Sequence, residues 1–470
     1  MIGPKDRDST ELNFSKLLQA LKPKDRDLWS LAAGQLDKER WRQMLREVQE
    51  KDPDFYREIV KVYDALIQGQ EEMVNSPRVP VISRAWEVAG KLLKKYSCEK
   101  GYQVDEEPRI HTATIYLNIE KVVTGLPREL IVMSNNLAWD YGGERKWTFG
   151  FDNRIFIADL TEDAIEELRK NPAVARVEIE PMAYICSNEI PPYNPNGVNI
   201  DWGVDRINPE NAWNKGIFGQ GVKLCVIDTG IKDSHECFWK DGVCVYKGGW
   251  NFIANNNKPI DDHDHGTYCA GIIAAQHNGL AGSYKGIAPG IELYACKVLD
   301  AKGSGSLGNV AAAIDWCRTN GMHVISMSLG GSQGSSVLQQ ACDAAWYAGL
   351  VLCASTGNEG PGDNTVGYPA KYNSCIAVAA TDYNDDVASF SSRGPEVDVA
   401  APGRHIVGPF AGNTYHQYVV DGSNGRYMCA SGTSAACPHV AAGAALVKAW
   451  YPLATNLEIR QWITQHCRDI

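Results

Sequence analysis

The stretch "VKLCVIDTGI", Val222 to Ile231, decides the reading of the chain. Apart from Lys223 it is apolar as far as Ile227, it is too short for a buried helix, and it stops at Asp228-Thr229-Gly230, a turn signal. Four later runs repeat the plan: "IELYACKVL", "HVISMSL", "GLVLCAS" and "CIAVAA". Between them, "HGTYCAGIIAAQ", "LGNVAAAIDWCRTN" and "SVLQQACDAAWYAG" read as helices. Continuous apolar strands alternating with helices predict an α/β domain: a doubly wound, mostly parallel sheet with helices on both faces.

Such sheets bind ligands outside the carboxyl ends of their strands. Asp228 ends the first run, Ser328-Leu329-Gly330-Gly331 follow the third, and Thr356-Gly357-Asn358-Glu359-Gly360 follow the fourth. "DDHDHGTYCAGIIAA" starts a helix at His265, and "SGTSAACPHVAAG", residues 431–443, starts another near Ser434. A serine hydroxyl needs a base within hydrogen-bond reach, which His265 can be. The imidazole needs its other nitrogen held and its cationic form stabilised, and Asp228 can do both. A tetrahedral oxyanion needs donors, and the Asn358 amide with the Ser434 backbone N–H supplies them.

Each residue also has a plainer reading. Asp228 alone is a strand-end turn residue and Asn358 a turn asparagine; the combination favours catalysis. Asp261, Asp262, His263, Asp264 and His265 have the residue types of a metal site, but nothing fixes the geometry zinc requires. His439 reads as structural, and Ser431 as a cap or turn. Cys437, three residues past Ser434, reads as packing, because burial in an apolar helix raises a thiol's pKa.

The motifs "VIDTGI", "HGTYCAGIIAA", "SMSLGG", "GNEG", "TVGYPAKY", "SFSSRGPEVDVAAPG" and "GTSAACPHVAAG" cover residues 200–455 and resemble the subtilisin-family serine proteases. The resemblance implies the triad Asp228, His265 and Ser434, with Asn358 as the oxyanion amide. It implies a specificity pocket walled by Ser328, Leu329 and Gly330 and by Ala354, Ser355, Thr356 and Gly357. Gly367 stands where the family shapes the pocket's base; with no side chain there, a large apolar residue before the cut is expected to fit. An acyl-enzyme on Ser434, protein or peptide substrates and no cofactor for catalysis follow from the same resemblance.

Departures from the family carry expectations of their own. Cys237 and Val198 fall where many members have calcium ligands, and Asn278 matches only a loop ligand, so the usual calcium site looks degraded. Tyr268 replaces a histidine common after "HGT". Ala435 follows the nucleophile where methionine is frequent, which predicts milder oxidative inactivation. "HQYVVDGSNGRYMC" before the serine reads as an insertion, and Ile470 falls short of the family's usual last strand.

The chain has 470 residues, enough for two or three domains. The peptidase reading covers 197–470. Upstream, residues 108–184 change character: "RIHTATIYLNI", "NRIFIADL" and "AVARVEIEPMAYI" read as strands, and "TEDAIEELRKNP" as a helix capped by Thr161. This α+β unit resembles the family's inhibitory propeptide, which implies a self-processing zymogen cut between Ala183 and Asn196. Residues 1–90 show apolar residues at helical spacing, such as Trp41, Leu45 and Val48, and predict a helical region, either a plain extension or a recruitment module with its own protein partner.

A net charge of −11 argues against nucleic-acid binding, and no apolar run is long enough to cross a membrane. The 14 cysteines lie mostly in apolar segments, including Cys225, Cys296 and Cys317, which suits a reducing cytosol. The absence of an apolar leader gives the same expectation, cytoplasmic, with secretion as the alternative if the true start lies elsewhere. A catalytically silent scaffold on this fold is the competing reading from another class; the complete triad argues against it.

Overall fold

The computed structural model describes residues 110–117, 137–152, 154–186, 202–276, 285–416, 419 and 425–468. The helical region expected over 1–90 lies outside them, as do Val198 and Asn278. Residues Ile110–Ile470 form one compact unit.

The small upstream domain is built from β1 (Ile110–Leu117), β2 (Glu144–Thr148), β3 (Ile155–Thr161), α1 (Glu162–Arg169) and β4 (Val174–Ile179). Its antiparallel sheet runs β2-β3-β1-β4. Thr161 caps α1 by accepting the Ala164 N–H at 3.2 Å, and Glu162 and Asp163 place negative charge in the first turn, where the helix dipole favours it. The period-2 alternation of β3 buries both faces of this sheet. Phe156, Ala158 and Leu160 pack with Ile165 and Leu168 of α1, whereas Ile155 and Ile157 join the core of the larger domain.

The expected single strand over 173–185 is two strands. β4 stays in the small sheet, but β5 (Met182–Ile185) belongs to a separate three-stranded sheet of the larger domain. Pro181 divides them: it has no N–H to continue the ladder. Its carbonyl instead accepts the Leu307 N–H at 2.8 Å.

The larger domain carries β6 (Lys223–Asp228), β7 (Tyr246–Asn251), α2 (His265–Ala274), β8 (Glu292–Lys297), β9 (Ser304–Ser306), α3 (Leu307–Thr319), β10 (Val324–Met327) and β11 (Leu329–Gly330). It continues through α4 (Ser336–Tyr347), β12 (Val351–Ser355), β13 (Ile376–Thr381), β14 (Val399–Pro402) and α5 (Thr433–Trp450). Seven strands pair in the order β14-β13-β12-β10-β6-β8-β7, parallel throughout. The opening stretch shows why its strand is apolar at nearly every position. Leu224 and Val226 face the core under α2 and α5, while Cys225 and Ile227 face the core under α3 and α4. Among the described residues, no helix is long and apolar enough to cross a membrane.

Candidate active site

Asp228 is the last residue of β6 and is fully buried. His265 opens α2, and its Nδ1–H donates to both Asp228 oxygens, at 2.8 and 3.0 Å. A carboxylate only accepts, so the pairing fixes the tautomer and leaves Nε2 as the basic nitrogen. That Nε2 is buried and hydrogen-bonds to none of the described residues. Burial alone would lower the His265 pKa; the Asp228 carboxylate outweighs it and holds the imidazole well above its ordinary value. Cys269, one turn along α2, is itself pushed up by burial and stands as a neutral thiol, 3.9 Å from His265 Nδ1.

The acids preceding His265 accept hydrogen bonds from their own surroundings. Asp261 takes the backbone N–H groups of His263, Asp264 and Thr267 and the hydroxyls of Thr229 and Thr267. Asp264, in a left-handed conformation (φ 108°), takes the N–H groups of Asn413, Thr414 and Tyr415, and so ties that loop to the start of α2. Asp262 pairs with the buried Lys297 at 2.6 Å. Cys237, at an expected calcium-ligand position, is fully buried in the apolar core.

Ser434 lies at the start of α5, after Gly432, whose φ of 153° is one that residues with a Cβ rarely adopt. Pro438, one turn further, lacks the N–H that would bond the Ser434 carbonyl. That carbonyl accepts instead from Ser328 Oγ at 2.9 Å and Cys269 Sγ at 3.5 Å. The helix start is thereby fastened to the strand end of β10 and to the helix bearing His265. His439 donates Nδ1–H to Ala435 O at 2.7 Å, and burial lowers its pKa to about 4, so it is a neutral structural histidine. Cys437 is buried, its thiol pushed up to about 12 by burial, and it packs against β10.

Asn358 and Ser434 meet on one carbonyl of the chain's own backbone. The Cys186 carbonyl, one residue past β5, accepts the Asn358 Nδ2–H at 2.6 Å and the Ser434 N–H at 3.2 Å. Asn358 is oriented by Thr433, whose N–H and hydroxyl donate to Asn358 Oδ1 at 2.9 and 3.0 Å. With Oδ1 committed to two donors, Nδ2 faces the Cys186 oxygen.

Upstream of this carbonyl, β5 lies antiparallel between β9 and β11, with Ala183 opposite Gly305 and Ile185 opposite Leu329. The Cys186 N–H donates to Ser328 O at 3.4 Å. Its side chain lies beside the Ser355 hydroxyl, and a Cβ on Gly330 would stand 3.5 Å from its sulfur. Of the expected walls, Ser328, Gly330 and Ser355 lie against Cys186, and Leu329 pairs with Ile185 before it. Gly367 donates its N–H to Thr356 O at 2.9 Å, and a Cβ there would press on Gly331 O at 3.1 Å.

Acids fasten the small domain to α3 and α4 of the larger domain. Glu180 accepts from Thr114 Oγ1 and from Ser335 Oγ, each at 2.6 Å, and Ser335 is the N-cap of α4. Glu178 accepts from Ser336 in the first turn of α4. In the other direction, Asp315 of α3 accepts from Trp147 Nε1 at 3.0 Å and from the Gly150 N–H at 2.8 Å. The α4 dipole favours negative charge at this helix start, but burial outweighs it at Glu180 and raises its pKa above the ordinary carboxylate value.

Cys186, Thr433, Glu178, Glu180 and Asp315 were not singled out from the sequence. Pro181 was the available signal for Cys186, since a proline inside a strand pattern marks a change of partner.

Fold and geometry bring the Asp228–His265 pair, Ser434 and Asn358 together at the carboxyl ends of the parallel sheet, with a strand of the chain's own beside them. Comparison with known proteins gives the class. Residues 219–469 match the model of the subtilase family, peptidase S8. The chain is 42% identical over 311 residues to a thermostable alkaline protease of Halalkalibacterium halodurans, covering 66% of this chain and 77% of the relative. It is 37% identical over 348 residues to subtilisin E of Bacillus subtilis, covering 73% and 83%. An alkaline protease of Shouchella clausii is 36% identical over 306 residues, covering 65% and 72%. The chain belongs to the subtilase family: it is a serine endopeptidase acting on proteins, and its catalysis needs no cofactor.

Proposed function

We propose that the protein is made as a zymogen that cuts itself between Cys186 and Ser187, with Ser434, His265 and Asp228 as the triad and Asn358 as the oxyanion amide. The observation that carries this is the Cys186 carbonyl held by Asn358 and Ser434. His265 Nε2 takes the Ser434 hydroxyl proton as Oγ attacks that carbonyl. The negative oxygen stays between the two donors already in place. The imidazolium, stabilised by Asp228, gives its proton to the Ser187 nitrogen, which leaves. A water molecule activated by His265 then releases the Cys186 carboxylate from Ser434.

The small domain remains docked as inhibitor through Glu178, Glu180 and Asp315 until it dissociates. Downstream substrates add a strand between β9 and β11 as β5 does. The pocket lined by Ser355, Gly330 and Gly367 accepts an uncharged residue before the cut, with large apolar residues preferred. The buried, free thiols support work in a reducing compartment, the cytoplasm.

Intact-mass spectrometry of wild type beside Ser434→Ala tests the processing. The expected result is a mature chain beginning at Ser187 in wild type and an uncut Ser434→Ala. Self-cleavage that persists in Ser434→Ala removes the nucleophile assignment; a different new N-terminus removes the cleavage site.

A further inference from the structure

Cys225 of β6, Cys296 of β8 and Cys317 of α3 meet between the sheet and its covering helix, each 0% exposed. Their sulfurs all lie within 4.8 Å of one another, and Cys225 Sγ is 3.6 Å from Cys296 Sγ. Three sulfurs bonded at about 2.3 Å to one central ion in a trigonal arrangement stand about 4.0 Å apart, within the 4.8 Å that bounds this cluster. Two neighbouring strands of the main sheet and a packed helix fix the positions, so the ligands are pre-organised by rigid elements.

The surroundings are apolar, with Ile227, Val298 and Ile314 in the same core cluster. Among the described residues, no fourth histidine, cysteine or carboxylate joins the three. Zinc in structural sites takes four ligands, whereas soft sulfur donors without a fourth partner suit monovalent copper. We propose that Cys225, Cys296 and Cys317 form a buried binding site for a soft cation, Cu(I), coordinated by three cysteine sulfurs.

Charge decides the protonation of the bound state. A charged assembly in an apolar core is costly. Cu(I) bound to one thiolate and two thiols is neutral, and its formation releases one proton. The ion joins the strand that ends at Asp228 to the helix whose Asp315 docks the small domain.

The test uses the full chain carrying Ser434→Ala, incubated without oxygen with Cu(I) supplied as its acetonitrile complex, against a graded competing chelator. Expected are one ion per chain, one proton released, and an X-ray absorption spectrum of copper with three sulfur neighbours. Cys225→Ala and Cys317→Ala each weaken binding by more than about tenfold. The exposed Cys467, changed to serine, leaves binding unchanged, as does Cys269→Ala beside the triad. Lack of uptake, uptake that survives Cys317→Ala, or loss of uptake with Cys269→Ala overturns the site. The sulfur count is read on a chain with all cysteines intact, so it stands even where a cysteine variant fails to fold.

Discussion

Asn358→Ala removes the shorter of the two hydrogen bonds on the Cys186 carbonyl and leaves the Ser434 N–H at 3.2 Å. Loss of one such donor costs about 10²–10³ in kcat, or about 2.7–4 kcal/mol of barrier. The interaction strengthens as charge develops on the oxygen, so kcat falls while KM stays near its wild-type value. The substitution has a second consequence. Asn358 Oδ1 is the acceptor for the N–H and hydroxyl of the fully buried Thr433. An orphaned buried donor costs about 1–3 kcal/mol, and in a domain of this size each kcal/mol lowers Tm by about 2–4 °C. Asn358→Asp separates the two effects: its carboxylate accepts from Thr433 and restores Tm, but it faces the oxyanion with negative charge and does not restore kcat. Steady-state kinetics on a chromogenic peptide, with calorimetry of each variant, reads both. A kcat of Asn358→Ala within a few-fold of wild type, or an Asn358→Asp enzyme as active as wild type, refutes the reasoning.

On the proposed mechanism, His265 must be neutral to act as base and its pKa is raised, so the proposed self-cleavage is expected to accelerate as pH rises through a value well above 6.5; Asp228→Asn is expected to lower that midpoint and cut the rate by about 10⁴-fold, measured by quenched-flow gels across pH. The corresponding contribution to folding stability is full below the unfolded histidine value and fades as pH rises through the raised one. Burial raises Glu180 above the ordinary carboxylate value, so the docked state binds its proton more tightly. Inhibition by the separated small domain therefore strengthens as pH falls toward the carboxylate range, and Glu180→Gln flattens that slope; an unchanged slope counts against the contact. Ala435 places no thioether beside the nucleophile, so the wild-type enzyme outlasts an Ala435→Met variant in dilute peroxide, followed as residual activity over time.

The main sheet was legible because β6 and its parallel neighbours are apolar on both faces, and the turn after β6 marks Asp228 locally. His265 and Ser434 were legible for a similar reason: each opens a helix after a short polar run. What the sequence hid depends on distance. Nothing near Cys186 announces that its carbonyl meets Asn358, because that meeting is set by the register of β5 between β9 and β11. Thr433 looks like any residue beside a serine until its two donors are seen on Asn358. Cys225, Cys296 and Cys317 were each read as small hydrophobes, which their burial supports, but only strand order and helix packing reveal that they face one another. The strand expected over 173–185 failed at Pro181, where a missing donor outweighed a continuous β-prone pattern.

In the proposed zymogen, the division of the chain at Pro181 would set a clock. While Cys186 and Ser187 are joined, β5 reaches its groove at the high effective concentration of a tethered ligand, whatever the protein concentration. Once that bond is cut, the same strand belongs to a separate molecule, and its return becomes bimolecular. On that proposal, dilution would govern how long the enzyme stays silent: crowded, it would remain covered, and dispersed, it would be released without any further change in its residues.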